Sequence, residues 1–362
     1  MSTRLGTTLR TRLSGRVSLR YIGARLLWSI PVMFAVIVVS FMVMRFTPGG
    51  PFDREKPLPD NILANLRAQY RLDRPMTPLY SVATKPLEAR EQAAFEAEYG
   101  VASLGDLRLV YEPAGMVETQ LFAYFGQILR GDFGVSMKFT QVSVNDILRR
   151  TFPVSFTLGF LAFVLAFVLG IGLGTLAAVR RGTWVDNAAM VFATFGFSMP
   201  NFVLGALFIV VFALWLRVLP PALWEGPLYT ILPVLTLALS PAAYIARLTR
   251  SGMLEALDQD YVRTARAKGV SHRLVVFKHA LANAAGPLIT VAGPLLAMLV
   301  TGSFIVELIF AIPGMGRYFI TAVIDRDYPL VMGVTVVYAL LIVIANIVVD
   351  LLYAVVDPRV KL

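Results

Sequence analysis

The stretch Tyr261 to Ser271, YVRTARAKGVS, is the one dense basic turn in an otherwise apolar chain. Arg263, Arg266 and Lys268 could meet an anionic lipid surface or the groove of a protein partner. Other residues able to do chemistry are sparse. The absence of cysteine removes disulfides, cysteine-based metal sites and thiol nucleophiles together, and leaves the redox compartment undetermined. The two histidines, His272 and His279, flank the basic turn without forming an H-E-x-x-H pattern, and both read as surface residues rather than ligands. No G-x-x-x-x-G-K-[ST] phosphate loop occurs, so the chain does not hold ATP in that way.

The carboxylates Glu307 and Asp350 fall near the ends of apolar runs, and Arg45 can snorkel to an interface. A proton- or sodium-driven carrier usually carries a carboxylate near the bilayer midplane, and that machinery is missing from the runs. If the chain moves a solute, the energy comes from elsewhere.

The elements that must position these residues are membrane spans. Of the 362 residues, 57% are hydrophobic and 15% charged, with a mean hydropathy of +0.69; a soluble domain of this length does not reach such values. Runs of about 20 apolar residues, each enough to cross about 30 Å of hydrocarbon, recur along the chain. We read six: Leu26 to Phe46, Val154 to Val179, Ala188 to Leu216, Leu228 to Leu248, Ala284 to Phe310 and Leu330 to Val355. The first follows a basic leader, residues 1–25, containing Arg4, Arg10, Arg12, Arg16, Arg20 and Arg25. It is too long for a signal-peptide core and lacks a small-residue cleavage pattern, so we read it as a retained span.

Six spans put both ends on one side. Alternating sides then assigns the leader, Arg180-Arg181, the segment from Arg247 to Lys278, and Arg359 with Lys361 to the cytoplasm. The short outer segments carry only Arg217, Arg317 and Arg326, a strong positive-inside bias. The net charge of +10 is accounted for by this orientation, with no need for nucleic acid. Pro200 in FSMPNF, and Pro233 and Pro241 in ILPVLTLALSP, predict kinked helices, either as packing irregularities or as a broken wall around a pathway.

Residues 47–151 form a long insertion exempt from the charge rule. Its stretches DNILANLRAQYRL, LEAREQAAFEAEYG and ETQLFAYFGQILRGDFG have helical spacing, the last through Leu121, Tyr124, Phe125, Ile128 and Leu129, so a helical extracytoplasmic subdomain over the outer mouth is expected. Residues 152–362 make the core, with a cytoplasmic loop at 249–283. Within that loop MLEALDQDYVRTARAK reads as one helix with Leu254, Leu257, Tyr261 and Ala265 on an apolar face. Gly269 supplies a left-handed stop, and Ser271 caps a second helix through His279. Two short helices about a glycine make a plug for a partner's groove, or else an amphipathic loop lying on the anionic inner leaflet.

RTARAKG at Arg263 to Gly269 resembles the EAA loop of permease subunits of bacterial ATP-binding-cassette importers, with Arg263 in place of the usual Glu and Ala282 at the later proline position. TPGGPFD, GDFGVSM, GSFIVELIFAIPGMGR, DRDYPLVMG and the terminal VDPRV occur in the order of the dipeptide/oligopeptide/nickel branch of that family. The resemblance implies an all-α, six-span integral membrane protein of type I importer architecture in the cell inner membrane. It implies a homologous second permease, two ATPase subunits that hold the ATP and Mg, and an extracytoplasmic solute-binding protein. Leu257, Tyr261, Arg263, Thr264, Ala265, Arg266, Ala267, Lys268 and Gly269 would then couple to the ATPase subunits, and this chain would have no cofactor and no catalytic residue of its own. Peptide is the expected substrate; nickel import by the same permease, and a membrane scaffold or channel anchoring soluble partners, are the alternatives.

Overall fold

Hydrocarbon satisfies no backbone polar group, so a span is either a helix or part of a closed barrel, and helices dominate the computed structural model. It describes residues 19–46, 52, 60–72, 74, 80–83, 101–104, 107–111, 119–139 and 142–356. The leader before Leu19, the TPGGPFD motif apart from Phe52, the stretch LEAREQAAFEAEYG and the terminal motif after Val356 lie outside the described residues.

The helices are α1 (Leu19–Phe46), α2 (Asp60–Gln69), α3 (Gln120–Leu129), α4 (Val144–Val179), α5 (Trp184–Ser198), α6 (Asn201–Phe208), α7 (Pro227–Leu257), α8 (Asp260–Ala267), α9 (Ala282–Thr301), α10 (Phe304–Ile309), α11 (Met315–Asp325) and α12 (Tyr328–Val356). π-Helical turns follow α6 at Ile209–Trp215 and precede α9 at Val275–Leu281. The chain divides into two units, one of residues 1–30, 151–317 and 338–362, the other of residues 31–150 and 318–337.

Five helices or helix pairs after α1 are apolar enough to cross, and the second of these, the third span of the chain, is broken: α5 and α6 meet at 106°. The break follows from Pro200, which drives Met199 into extended backbone (φ −83°, ψ 126°) and ends α5. The broken pair still crosses. Asp186 at the start of α5 pairs with Arg250 near the end of α7, Gly196 packs on Leu239, and Gly205 packs on Thr236 and Phe310. Rising numbers on α5 and α6 therefore meet falling numbers on α7. Beyond the break the Leu223 N–H reaches the Phe310 carbonyl at 2.8 Å, at the end opposite Asp186. With α1, and with the bent pair taken as one span, this makes six crossings among the described residues. Pro233 and Pro241, by contrast, sit inside an uninterrupted α7. The core of this unit is Leu158, Leu232, Leu237, Ile245, Leu299 and Phe310 with their neighbours.

In the second unit α3 forms at the expected spacing, with the Thr119 side chain accepting from the Phe122 N–H. Leu121 and Tyr124 pack with Ile37, Phe41, Met332 and Val336. The fully buried Asp327 accepts from the Ser136 hydroxyl, from the Met137 N–H at 3.1 Å and from the Leu330 N–H at 3.3 Å, which joins the GDFGVSM and DRDYPLVMG motifs. The insertion departs from the all-helical expectation. It contains an antiparallel sheet in the order β1 (Tyr80–Ala83), β3 (Leu107–Tyr111), β2 (Val101–Leu104). Tyr80 lies opposite Tyr111, and Leu104 opposite Leu107. The two residues between β2 and β3 are Gly105-Asp106, a pair suited to a tight hairpin; helical periodicity in the flanking stretches hid that signal.

Candidate coupling loop and groove wall

α7 is 31 residues long and continues past the apolar part of its span to Leu257 without interruption. The helix expected over 253–268 is in fact two. Asp258 ends α7, Gln259 is extended (φ −76°, ψ 151°), and α8 starts at Asp260 with an acid in its first turn and Arg266 in its last, as the helix dipole favours.

The interruption changes the phase of the apolar face. Val262 and Ala265, with Val275 of the π turn, form a small core with Leu257 and Val270. Met253, Ala256, Val276, Ala280 and Ala284 form a second one against Ala178 of α4, with Leu254 beside it. Leu254, Leu257 and Ala265 are thus inward, as expected. Tyr261 is not: it is 41% exposed, and Val262 takes the buried place. A one-residue shift in α8 turns the side chain by about 100°.

Gly269 has φ +73°. The Val270 N–H bonds to the Ala265 carbonyl (3.2 Å) and the Gly269 N–H to the Arg266 carbonyl (3.0 Å), the paired bonds of a Schellman stop, with Val270 and Ala265 in the accompanying apolar contact. Ser271 occupies the cap position of a three-residue helical turn, His272–Leu274, that leads into the π turn, but its side chain makes no capping bond; its carbonyl accepts from the Val275 N–H. Facing outward from α8 are Tyr261, Arg263, Thr264, Arg266, Ala267 and Lys268. Arg263 and Asp260 meet at 3.5 Å, both largely solvated, which contributes about 0–1 kcal/mol at most.

The loop is fastened to the spans by a buried pair. Arg250 Nε and NH2 donate to Asp186 Oδ1 and Oδ2 at 2.7 and 2.8 Å, and the Gly182 N–H donates to Oδ2 at 3.0 Å. Sequence reasoning did not single out this pair, because its partners are far apart in the chain.

Glu307, expected near a span end, is fully buried and saturated. It accepts from Ser155 Oγ (2.7 Å), Ser303 Oγ (2.5 Å) and the Arg317 N–H (3.0 Å), while Ser155 Oγ accepts from the Met315 N–H (2.7 Å). The carboxylate thus folds the IPGMGR turn back on itself, and a Cβ at Gly314 would run into it. Asp350 pairs with Arg25 at 2.9 Å. Arg45 lies over the rings of Phe41 and Tyr328, 5.4 and 4.9 Å from their centroids. Among the described residues no cluster of His, Asp and Glu could hold a metal ion.

A groove of about 610 Å³ opens between the break in the third span, α7 and α9. Phe197, Asn201, Ser240, Tyr244, Thr290 and Met298 line it, with Pro241 and Pro294 in its wall. Among the described residues no acid and no Lys, Arg or His lines it, although Arg247 lies 4.4 Å over the Phe197 ring. Of the three prolines, Pro200 breaks its span beside this groove, Pro241 stands in the groove wall within the unbroken α7, and Pro233 is not among the lining residues.

Residues 170–362 match the family model described as "Binding-protein-dependent transport system inner membrane component". The chain is 42% identical to the dipeptide transport system permease protein DppB of Bacillus subtilis (strain 168), over 92% of this chain and 96% of that protein. It is 37% identical to the oligopeptide transport system permease proteins OppB of Haemophilus influenzae and of Salmonella typhimurium, over 95% of this chain and 99% of each. A solved structure of the MetNI methionine ABC transporter in an inward facing conformation aligns with a TM-score of 0.50 at 20% identity, covering 58% of this chain and 96% of that one. That likeness concerns the fold.

Proposed function

Because the chain belongs to the family of binding-protein-dependent transport system inner membrane components, we propose that it is the permease subunit of an ATP-driven importer of peptides, forming half of the pathway. The observation that carries the proposal is mechanical. One unbroken helix, α7, presents Ser240 and Tyr244 to the groove at one level and ends beside α8 at another. Closure of two ATPase subunits around α8 would move α7 as a lever and bias the groove between inward- and outward-open states.

A groove with no acid and no Lys, Arg or His suits cargo whose side chains vary, as in peptides, whose relatives' names point the same way. A homologous second permease would supply the other wall, and a solute-binding protein would deliver cargo outside. ATP and Mg stay with the ATPase subunits. Six crossings and the cluster of cations from Arg247 to Lys278 support an orientation with both ends of the chain in the cytoplasm and residues 47–151 outside.

The surface that would enter an ATPase groove is the outward face of α8, with Tyr261 its largest side chain. An exposed aromatic of this kind is a typical interface hot spot, and its loss costs about 2 kcal/mol or more. Tyr261→Ala should weaken retention of ATPase subunits in pull-downs, or uncouple substrate-stimulated hydrolysis in nanodiscs, while Arg263→Gln does less. A wild-type Tyr261→Ala beside a damaged Arg263→Gln would replace the plug with a loop held on the lipid surface.

A further inference from the structure

The outer end of α1 carries a polar cavity that the transport reading does not use. It measures about 280 Å³ and lies wholly within the second unit, among the ends of α1 and α2, the start of α12, α3 and the turn at residues 132–137. Three groups in its wall lack ordinary partners. Arg45 stacks on two rings, yet among the described residues no carboxylate lies in ion-pair range of it. Gln120, only 9% exposed, donates through Nε2 to the Arg74 carbonyl at 2.5 Å, which orients the amide and leaves Oε1 buried without a donor. The Tyr124 hydroxyl, on a side chain 8% exposed, is also buried and unpartnered. Buried polar atoms are ordinarily satisfied, so two unsatisfied ones together with an arginine that has no carboxylate in range, all around one cavity, describe a ligand. It must carry an anion for Arg45 and, next to it, an N–H donor for Gln120.

The position narrows the class. The apolar run of α1 stops at Arg45 and Phe46, and that of α12 begins just after Tyr328; Arg and Tyr at such ends mark the bilayer boundary. The cavity is two-sided to match, with Phe41 and Met332 in its apolar wall and Gln69, Arg71 and Asp132 in its polar wall. Val135 on the wall is exposed, and so are Val43, Phe122 and Leu129 nearby in the same unit, an apolar surface that acyl chains would cover.

We propose that this cavity holds the headgroup of one phospholipid of the phosphatidylethanolamine class, its phosphate on Arg45 and its ammonium N–H on Gln120 Oε1. Phosphatidylcholine shares the phosphate but has no N–H to give.

The test uses the full chain in its complex, delipidated and reconstituted in nanodiscs of phosphatidylcholine with a minor fraction of phosphatidylethanolamine. Lipid retained per complex is then read by native mass spectrometry. Wild type should keep one phosphatidylethanolamine per chain with at least a tenfold preference over phosphatidylcholine. Gln120→Leu should abolish that preference while lipid is still retained, and Gln120→Glu, which keeps the acceptor, should preserve it. Arg45→Met should lose both lipids. The proposal falls if wild type shows no preference, if Gln120→Leu keeps the preference, or if free phosphoethanolamine binds equally well in a lipid-free complex. It falls also if a transported peptide displaces the lipid competitively, which would make the cavity a cargo site. Should Arg45→Met fail to assemble, the two Gln120 variants decide the matter alone.

Discussion

Removing the Asp186–Arg250 pair should loosen the lever before it disturbs the groove. The Asp186 side chain is 3% exposed and that of Arg250 29%, and both contacts are short and bidentate. A fully buried pair that loses one partner costs about 3–5 kcal/mol, and an exposed pair is worth about 0–1 kcal/mol. Since water can reach nearly a third of Arg250, a coupling energy of about 2 kcal/mol is expected, roughly a thirtyfold change in an equilibrium constant. Asp186→Asn keeps an oxygen for the Gly182 N–H but turns an amide toward the guanidinium. The measurement is a double-mutant cycle of Asp186→Asn and Arg250→Gln, read by unfolding of the purified permease. ATP hydrolysis without substrate in the full complex is read alongside, and should rise in either single variant. Single effects that add to within about 0.5 kcal/mol, with hydrolysis still coupled, would show that the pair is energetically idle and that α7 is held by packing alone.

Three further outcomes follow from particular contacts. Gly314→Ala should destabilise the permease by about 1–3 kcal/mol in a thermal unfolding assay, because its Cβ meets Glu307 and Ser155 Oγ, whereas Gly172→Ala, with nothing nearby, should be close to neutral. Gly269→Val should cost about 1–2 kcal/mol through its positive φ alone, since the surrounding space is open, and should impair coupling more than Gly269→Asn; equal behaviour of the two would remove the stop from the mechanism. A cysteine placed at Glu96, unique in a chain with none, should react with a membrane-impermeant reagent in intact cells, and labelling only after permeabilisation would invert the proposed topology.

Much of the architecture was legible in the residues because its causes are local. The spans follow from apolar length against bilayer thickness, the break at Met199 from the ring of Pro200, and the stop at Gly269 from the steric freedom of glycine. The phase of α8 was not legible: the chain breaks at Asp258–Gln259 with neither glycine nor proline to announce it, and packing of Val262 on Val275 chose which face turned inward. Glu307 reads as a lone acid in an apolar run, and only the fold brings Ser155, 152 residues away, to saturate it. The same holds for Arg250 with Asp186, for the groove at the broken span, and for the cavity beside Arg45. Hydrocarbon thickness and backbone sterics act on neighbours in the chain, so the order of residues determines their effects. Pairing a buried charge or closing a cavity depends on groups that only folding brings within a few ångströms, and there the tertiary structure decides.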